Sequence, residues 1–358
     1  MKYLIVQDWS NTRGNHAGMV HMCKLLVEKH PSMYKMYVKE EPELFLYPNT
    51  LWGQFIRVIN HFIRKPLYTH YIYPKSYMKL CQPMLKDLKK GDEVFLLEYL
   101  IPGAPQLKLA EYIRNKCPFV RIYALSHLTV KNFKEEININ GNIVKLWAKP
   151  IDKMLTLGSS LSTYFLDNGV PQYKISTGFH YVDTEFYHKF ESINIHNPLR
   201  IIAQGNIKRD YSLLSRIVKE TPNVYYIICH GRKSVGTLFD GLSNVELKGY
   251  LSEEELRHQM DIADISINVM EDTIGSNVIT TSLAMGLAMV VSDVGSIRDY
   301  CGEDNSLFCS NNAESFIKAI NNLADNPQAV QKMKNASLER AKKLRIENVH
   351  KWFCSLNS

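Results

Sequence analysis

The sequence predicts an α/β protein with two domains, each built from parallel β-strands and helices. Its 358 residues exceed the content of an ordinary single domain, which is roughly 100 to 200 residues. Short apolar runs alternate with amphipathic stretches along the whole chain, the pattern typical of repeated strand–helix units. Hydrophobic residues make up 45% and charged residues 22% of the chain, which favours a globular protein over a disordered or membrane-embedded one.

The predicted strands fall into two series, separated by a polar interval at residues 191–197. The first series comprises Tyr3–Gln7, Glu93–Glu98, Val120–Leu125 and Lys153–Leu157. The second comprises Arg200–Gln204, Val224–Cys229, Val245–Lys248, Ile265–Val269 and Ala288–Ser292. We therefore predict an N-terminal domain of residues 1–180 and a C-terminal domain of residues 181–342. A terminal helix, at about residues 343–358, is expected to cross back onto the N-terminal domain.

The cysteines indicate the cellular compartment of the protein, and its net charge indicates which classes of partner it can bind. The seven cysteines are scattered, without a CxxC pair or a metal-ligand spacing, so we expect reduced thiols in a cytoplasmic protein and no bound metal. The formal net charge of +7 suits an anionic ligand or an anionic membrane surface. The sequence has no basic recognition helix, zinc finger or RNP-like strand, which argues against a nucleic-acid partner.

A polar loop with two glycines follows the first strand. It spans Trp9–Gly18, and within it Gly14, Asn15, His16 and Gly18 are candidate binding residues. At the carboxyl edge of a parallel sheet, glycine lets a ligand approach the backbone and a helix N-terminus favours anions. The loop lacks the GxGxxG spacing, so a dinucleotide site has little support, and an ordinary strand–helix connection is the alternative.

The second series begins with a similar loop. Gly205, Asn206, Lys208 and Arg209 follow its first strand, and two cations beside a helix N-terminus suit a diphosphate. The alternative for Arg209 is an ordinary solvent-exposed side chain. Farther along, an acidic, glycine-containing loop precedes a helix that begins near Asn277. The free backbone N–H groups at such a helix start suit the phosphates of a nucleotide sugar.

Several motifs, in one order, resemble the family 4 (group 1) glycosyltransferases of the GT-B fold. Thr281–Ser296, TSLAMGLAMVVSDVGS, is similar without a gap to the family segment EAMACGLPVVATDVGG. Weaker similarities in the family order occur at Leu157–Leu161, His180–Asp183, Gly205–Tyr211 and Gly249–Leu256. The resemblance implies two Rossmann-like domains that face each other across a cleft, a donor-binding C-terminal domain and a role in bacterial polysaccharide biosynthesis.

The resemblance also implies a donor site for a nucleoside diphosphate sugar. By their places in the matched motifs, the donor-binding residues are expected to be Gly205, Asn206, Lys208, Arg209, Tyr250, Thr273, Gly275, Ser276, Asn277, Val278 and Thr281. Thr273 and Thr281 stand where the family usually carries two glutamates. We therefore expect Asp272, with Glu271 as the alternative, to be the carboxylate at the donor sugar, and Arg209 to carry the positive charge at the phosphates.

In the N-terminal domain, Glu98 and His127 each follow a predicted strand. The family commonly places a histidine at the position of His127, where it contacts the donor sugar; a locally hydrogen-bonded histidine is the alternative. Glu98 lies at the same expected sheet edge, and we assign it to the acceptor side together with Gly14, Asn15, His16 and Gly18. The expected catalytic residues are His127, Arg209 and Asp272.

Residues 51–65, LWGQFIRVINHFIRK, have an apolar helical face with a basic border. Such a helix suits a membrane interface at the inner face of the plasma membrane, and packing on the domain's own core is the alternative.

The expected function is the transfer of a sugar from a nucleoside diphosphate sugar to a glycan hydroxyl, with a lipid-linked polysaccharide precursor as the expected acceptor. By the resemblance, the reaction needs no metal or other cofactor and retains the anomeric configuration. The alternatives are a GT-B protein that has lost turnover and serves as a glycan-binding or partner subunit, because two family glutamates are missing, and a nucleotide-sugar epimerase.

Overall fold

The structure is a computed structural model. It describes residues 1–9, 13–40, 67, 71–99, 105–135, 141–189, 195–205 and 207–357. Contacts divide the chain into two compact units. The first unit comprises Met1–Leu157, Leu161–Gly178 and Leu356–Ser358, and the second comprises Gly158–Ser160 and Phe179–Ser355.

The first unit contains a six-stranded sheet in which all neighbouring strands are parallel. Its strands are β1 Lys2–Asp8, β2 Tyr34–Glu40, β3 Glu93–Leu96, β4 Arg121–Ser126, β5 Lys153–Thr156 and β6 Ile175–Thr177. The strand order is β2-β1-β3-β4-β5-β6. Its helices are α1 Met19–Lys29, α2 Tyr73–Leu80, α3 Gln82–Asp87, α4 Pro105–Lys116, α5 Val130–Glu135, α6 Gly141–Ala148 and α7 Ser159–Asp167, with a 3-10 turn at Gln172–Lys174.

The second unit also contains a six-stranded, all-parallel sheet. Its strands are β7 Arg200–Gln204, β8 Tyr225–Cys229, β9 Val245–Lys248, β10 Ile265–Asn268, β11 Ala288–Ser292 and β12 Ser306–Cys309. The strand order is β12-β11-β10-β7-β8-β9. Its helices are α8 Tyr211–Glu220, α9 Glu253–Asp261, α10 Asn277–Ala284, α11 Ile297–Tyr300, α12 Ala313–Ala324, α13 Pro327–Ala341 and α14 Ile346–Ser355, with a 3-10 turn at Lys342–Leu344.

Each sheet reverses its strand order at one place. In the first unit the reversal lies between β1 and β3, and in the second it lies between β7 and β10. Connections leave the sheet in opposite directions there, so a crevice opens outside the carboxyl ends of the two strands, where open α/β sheets bind ligands. A ligand-binding site is therefore expected at the loops that follow these four strands.

A buried ion pair stabilises the opposite, amino edge of the second sheet. The ammonium of Lys334 on α13 lies 3.3 Å from a carboxylate oxygen of Asp264, and both side chains are fully buried. Asp264 also accepts a hydrogen bond from the backbone N–H of Arg200, at 3.0 Å, and contacts Nδ1 of His196 at 3.1 Å. Burial lowers the pKa of Lys334 to about 8, so the carboxylate is needed to keep the ammonium charged.

The α/β architecture with parallel sheets is confirmed, but the terminal helix is divided differently from the prediction. Residues 343–358 were expected to join the first unit, whereas the second unit extends to Ser355. The reason is local packing: the rings of Phe179 and Trp352 lie 6.1 Å apart, and the Val182 N–H donates to the Leu344 carbonyl at 3.0 Å. Only Leu356–Ser358 return to the first unit.

The structure bears on only part of the membrane-related predictions. Residues 51–65 lie outside the described residues. Within the part of the chain that the structure describes, no helix is both long enough and apolar enough to cross a bilayer.

Candidate active site

The loops after β7 and β10 are joined by backbone contacts at the reversal point of the second sheet. Arg209 and Met270 form an isolated antiparallel bridge, and the Glu271 N–H donates to the Lys208 carbonyl at 3.0 Å. Gly205 and Lys208 adopt positive φ angles of 85° and 51°, which allow the chain to turn sharply before α8. The two sequence-predicted phosphate and sugar loops therefore form one continuous surface.

Arg209 is a cation that no carboxylate neutralises within the described part of the chain. Its Nε donates to the Gln204 carbonyl at 3.3 Å, and its Nη2 donates to the side-chain oxygen of Asn268 at 3.4 Å. Both acceptors are neutral, and both bonds are long. Burial lowers the pKa of Arg209 to about 10, yet the guanidinium stays charged at neutral pH. A partly buried, uncompensated cation of this kind favours an anionic ligand.

The start of α10 lies beside this cation. A Cβ added to Gly205 would lie 3.0 Å from a methyl group of Val278 and 3.6 Å from the Arg209 guanidinium. Glycine is favoured here because the backbone has φ of +85°, at a point where the β7 loop meets both the helix start and the cation.

The helix start itself carries polar atoms without partners. Ser276 is the N-cap of α10, but its side chain makes no capping hydrogen bond. The hydroxyl of Ser276 and the side-chain oxygen of Asn277 are buried and have no hydrogen-bond partner among the described residues. Because buried polar atoms are normally paired, a ligand or water is expected here. Free N–H groups at the same helix start favour an anion.

Thr273 and Gly275 shape the loop that leads into α10. The hydroxyl of Thr273, which is only 3% exposed, accepts the Gly275 N–H at 3.2 Å, and the Asp272 carboxylate accepts the Thr273 N–H at 2.8 Å. The Thr273 carbonyl accepts the Ser296 N–H at 2.7 Å. Gly275 has φ of +89°, and a Cβ there would lie 2.2 Å from the buried ring of Tyr300. Thr273 therefore stabilises the loop, and Asp272 is its partly exposed carboxylate.

The hydroxyl of Thr281 forms a hydrogen bond within its own helix. Its hydroxyl donates to the Asn277 carbonyl at 2.6 Å, and the residue is 5% exposed. The oxygen keeps the capacity to accept a hydrogen bond. Its predicted contact with the donor ribose stays a prediction, as does the contact of Asn206, which lies outside the described residues.

The loops after β8 and β9 contribute residues to the same carboxyl edge. Tyr250 is 63% exposed, and the Arg232 guanidinium stacks over its ring at 4.7 Å from the centroid. Lys233 lies 5.0 Å from the ring centroid of Tyr211. Arg232 and Lys233 were not among the predicted donor-binding residues, although a basic pair shortly after a buried strand is the same signal that points to Lys208 and Arg209.

In the first unit, the loop after β1 ends in the N-cap of α1. Gly14 has φ of +82°, and the Gly18 N–H donates to the Asn15 carbonyl at 3.1 Å. The ring of His16 lies 4.6 Å from that of His21 on the first turn of α1. The described part of this loop, residues 13–18, thus places a partly buried imidazole just before α1.

Glu98 and His127 lie together at the carboxyl ends of β3 and β4. His127 Nε2 lies 2.5 Å from the Leu97 carbonyl and 3.6 Å from a Glu98 carboxyl oxygen. Burial raises the pKa of Glu98 to about 8, and a hydrogen bond from the Trp9 side chain opposes this shift. Burial lowers the pKa of His127, opposed by its contact with Leu97. At neutral pH both groups are therefore uncharged, with Nε2–H donating to the carbonyl and Nδ1 left as an acceptor.

Comparison with known proteins identifies the class. Residues 211–326 match the family model described as "Glycosyl transferases group 1". No curated protein matches the sequence.

Solved structures match almost the whole chain. HepE of Anabaena, determined in complex with UDP, is similar with a TM-score of 0.68 and 12% identity over 99% of this chain and 98% of that chain. Sucrose-phosphate synthase of Thermosynechococcus elongatus has a TM-score of 0.70 and 10% identity over 100% and 98%. A glycosyltransferase of Rickettsia africae has a TM-score of 0.66 and 12% identity over 98% of both chains. At such identities the likeness shows the fold, which is GT-B.

The fold and the family match together define an enzyme of the glycosyltransferase class. More particularly, residues 211–326, the larger part of the second unit, are similar to the group 1 glycosyltransferases.

Proposed function

We propose that this enzyme transfers a sugar from a nucleoside diphosphate sugar to a hydroxyl of a glycan acceptor, with a lipid-linked polysaccharide precursor as the acceptor. The observation that carries the donor assignment is the guanidinium of Arg209 next to the start of α10, neither of which has a neutralising or capping partner among the residues that the structure describes. A diphosphate would satisfy both: its charge complements the guanidinium, and its oxygens accept the orphan N–H groups.

The proposed chemistry breaks the bond between the anomeric carbon of the donor and its phosphate oxygen. Negative charge then grows on the leaving diphosphate. Arg209, Lys208 and the backbone from Gly275 to Val278 would stabilise this charge, and they would do so in place of a metal ion. The proposed reaction is therefore metal-independent.

The proposed transfer retains the anomeric configuration. The leaving phosphate oxygen takes the proton of the acceptor hydroxyl on the same face of the sugar, while that hydroxyl forms the new glycosidic bond. The sugar itself would be held by Asp272 and His127. The Nδ1 atom of the neutral imidazole is an acceptor suited to a sugar hydroxyl, because Nε2 is used by Leu97. Glu98 would serve the acceptor side.

The proposal is tested first by thermal-shift measurements with UDP-, GDP- and ADP-sugars. A ligand at 100 times its Kd stabilises a protein by about 2.7 kcal/mol, so the cognate donor should raise Tm clearly above the other two. Donor consumption is then followed with and without glycan acceptors. If no nucleotide sugar raises Tm and none is consumed, the donor assignment is wrong. Consumption of donor without an acceptor, giving an isomeric nucleotide sugar, would instead identify an epimerase.

We also propose that residues 51–65 contact the inner face of the plasma membrane. The support is the apolar face and basic border of this segment. Neutralising Arg57, Arg64 and Lys65 together should reduce co-sedimentation with anionic liposomes, and an unchanged bound fraction would refute this contact.

A further inference from the structure

The residues immediately before α2, together with α4, expose large apolar side chains of the first unit to solvent. Tyr71, immediately before α2, is 61% exposed, Ile72 is 48% exposed, and Tyr112 on α4 is 41% exposed. Burying such side chains removes an unfavourable contact with water, so their grouping on one unit indicates a surface that is covered by another phase or molecule.

The same surface is strongly basic. Residues 71–90 contain five lysines and one aspartate. Lys75, Lys79 and Lys86 are exposed, and the spacing of four residues places Lys75 and Lys79 on one side of α2. The ammonium of Lys108 on α4 lies 6.0 Å from the ring centroid of Tyr71. Aromatic and cationic groups are thus interleaved rather than segregated.

A cavity of about 390 Å³ opens within this surface. It is lined by Met78, Lys79, Gln82, Leu85, Lys86 and Tyr112. Two lysines and several apolar residues therefore line one concave space, which suits a ligand with an anionic head and an apolar body.

We propose that this α2–α4 surface, defined by Tyr71, Ile72, Lys75, Lys79, Lys86 and Tyr112, docks on a bilayer of anionic phospholipids. The lysines contact headgroup phosphates, with one headgroup in the cavity, and the tyrosines and Ile72 enter the interface. Tyrosine belongs at headgroup depth, where its ring is half apolar and its hydroxyl is solvated. A free phosphate would be held by the cations alone and would leave the apolar side chains unexplained.

The surface is defined without residues 51–65. The proposal rests on and deepens the proposed function, because a lipid-linked acceptor lies in the bilayer. Its test does not depend on turnover, however. Donor-induced thermal shifts can be measured on the same variants, so a failure of lipid binding and a failure of donor binding give different results.

The test is co-sedimentation of the full chain with phosphatidylglycerol–phosphatidylcholine vesicles and with pure phosphatidylcholine vesicles. A triple variant, Lys75→Gln/Lys79→Gln/Lys86→Gln, is compared with a control that removes equal charge from exposed lysines of the second unit, Lys318→Gln/Lys332→Gln/Lys343→Gln. Each lysine at an anionic surface contributes about fivefold to binding, so the first variant should bind on the order of 100-fold more weakly than the control. Raising the salt concentration should weaken wild-type binding as well.

The apolar contribution is tested by Tyr71→Ser/Ile72→Ser/Tyr112→Ser, which should lower binding even at low salt. Three results would overturn the proposal: wild-type protein that does not bind the mixed vesicles, equal binding to phosphatidylcholine alone, or equal loss in the first variant and its control. Inorganic phosphate that competes fully at millimolar concentration would show a soluble anion site instead.

Discussion

Replacing Arg209 with methionine separates a binding role from a structural one, and the structure gives the expected size of both effects. Among the described residues, the guanidinium makes two hydrogen bonds, at 3.3 and 3.4 Å, to neutral acceptors. Burial lowers its pKa from 12.5 to about 10, which corresponds to at most about 3 kcal/mol of unfavourable desolvation of the charged form. The unliganded variant should therefore be as stable as the wild type, or more stable by up to about 3 kcal/mol.

The effect on the donor should have the opposite sign. A hydrogen bond to a charged partner contributes about 1.5 to 3 kcal/mol, so losing the guanidinium should raise the Kd for the nucleoside diphosphate by roughly 10- to 150-fold. Arg209→Lys keeps the charge but loses the planar guanidinium, so its Kd should lie between those of the wild type and Arg209→Met. If Arg209 were merely structural, its replacement would lower the stability of the protein and leave the affinity for the diphosphate unchanged.

The assay combines Tm without ligand and calorimetric titration with the nucleoside diphosphate that binds tightest among UDP, GDP and ADP. Arg216→Met is the matched control, since this arginine is exposed on the adjoining helix α8. It should change neither quantity. A variant of Arg209 that is less stable by more than about 1 kcal/mol and binds the diphosphate as tightly as the wild type would falsify the reasoning.

Three further predictions concern the supporting structure. Because the raised pKa of Glu98, about 8, lies above its unfolded value of about 4.3, this group stabilises the fold at low pH and less as pH rises toward 8. The free energy of unfolding of the wild type, relative to that of Glu98→Gln, should therefore fall by about 1.4 kcal/mol per pH unit between pH 5 and 8, with a matching fall in relative Tm. A stability difference that does not change with pH contradicts the assignment. Gly275→Ala should lower both Tm and turnover through its clash with the buried tyrosine ring, whereas Gly241→Ala, with φ of +74° and open space around it, should show only the backbone cost of about 1 to 2 kcal/mol. Asp264→Asn should destabilise by about 3 to 5 kcal/mol because it leaves Lys334 buried without its partner, and adding Lys334→Met should restore part of that loss in a denaturant titration.

The sequence predicts the central strands of both sheets better than their edges. All strands that were overlooked, β2, β6 and β12, lie at a sheet edge. A strand in the middle of a parallel sheet is covered on both faces and has a continuous apolar run, as in Ala288–Ser292. An edge strand such as Tyr34–Glu40 has only one fully buried residue and alternates with lysines, so it carries little of that signal.

In the candidate site, too, local sequence patterns predict some features, whereas contacts between distant segments are not predicted. Glycines and cations after buried strands predict Gly205, Lys208 and Arg209 as binding residues, and this stays a prediction. The bridge from Arg209 to Met270 joins loops that are about sixty residues apart, and no local pattern predicts it. Nor does any pattern show that Tyr300 closes the space beside Gly275, since that contact depends on where α11 packs.

The resemblance places Thr273 and Thr281 where glutamates are usual, which would change the electrostatics of the proposed donor loop. Thr273 is buried and its hydroxyl accepts a backbone N–H of its own loop, while the hydroxyl of Thr281 donates to a carbonyl of its own helix. Neither residue brings a negative charge near the phosphates, and Arg209 accordingly has no carboxylate partner among the described residues. We infer that the loop binds its donor with fewer charge-assisted bonds to the ribose and more dependence on the cation. Thr281→Glu should then tighten nucleotide binding if the ribose lies there, and the same variant combined with Arg209→Met should not regain wild-type affinity, because a ribose contact cannot replace the charge at the phosphates.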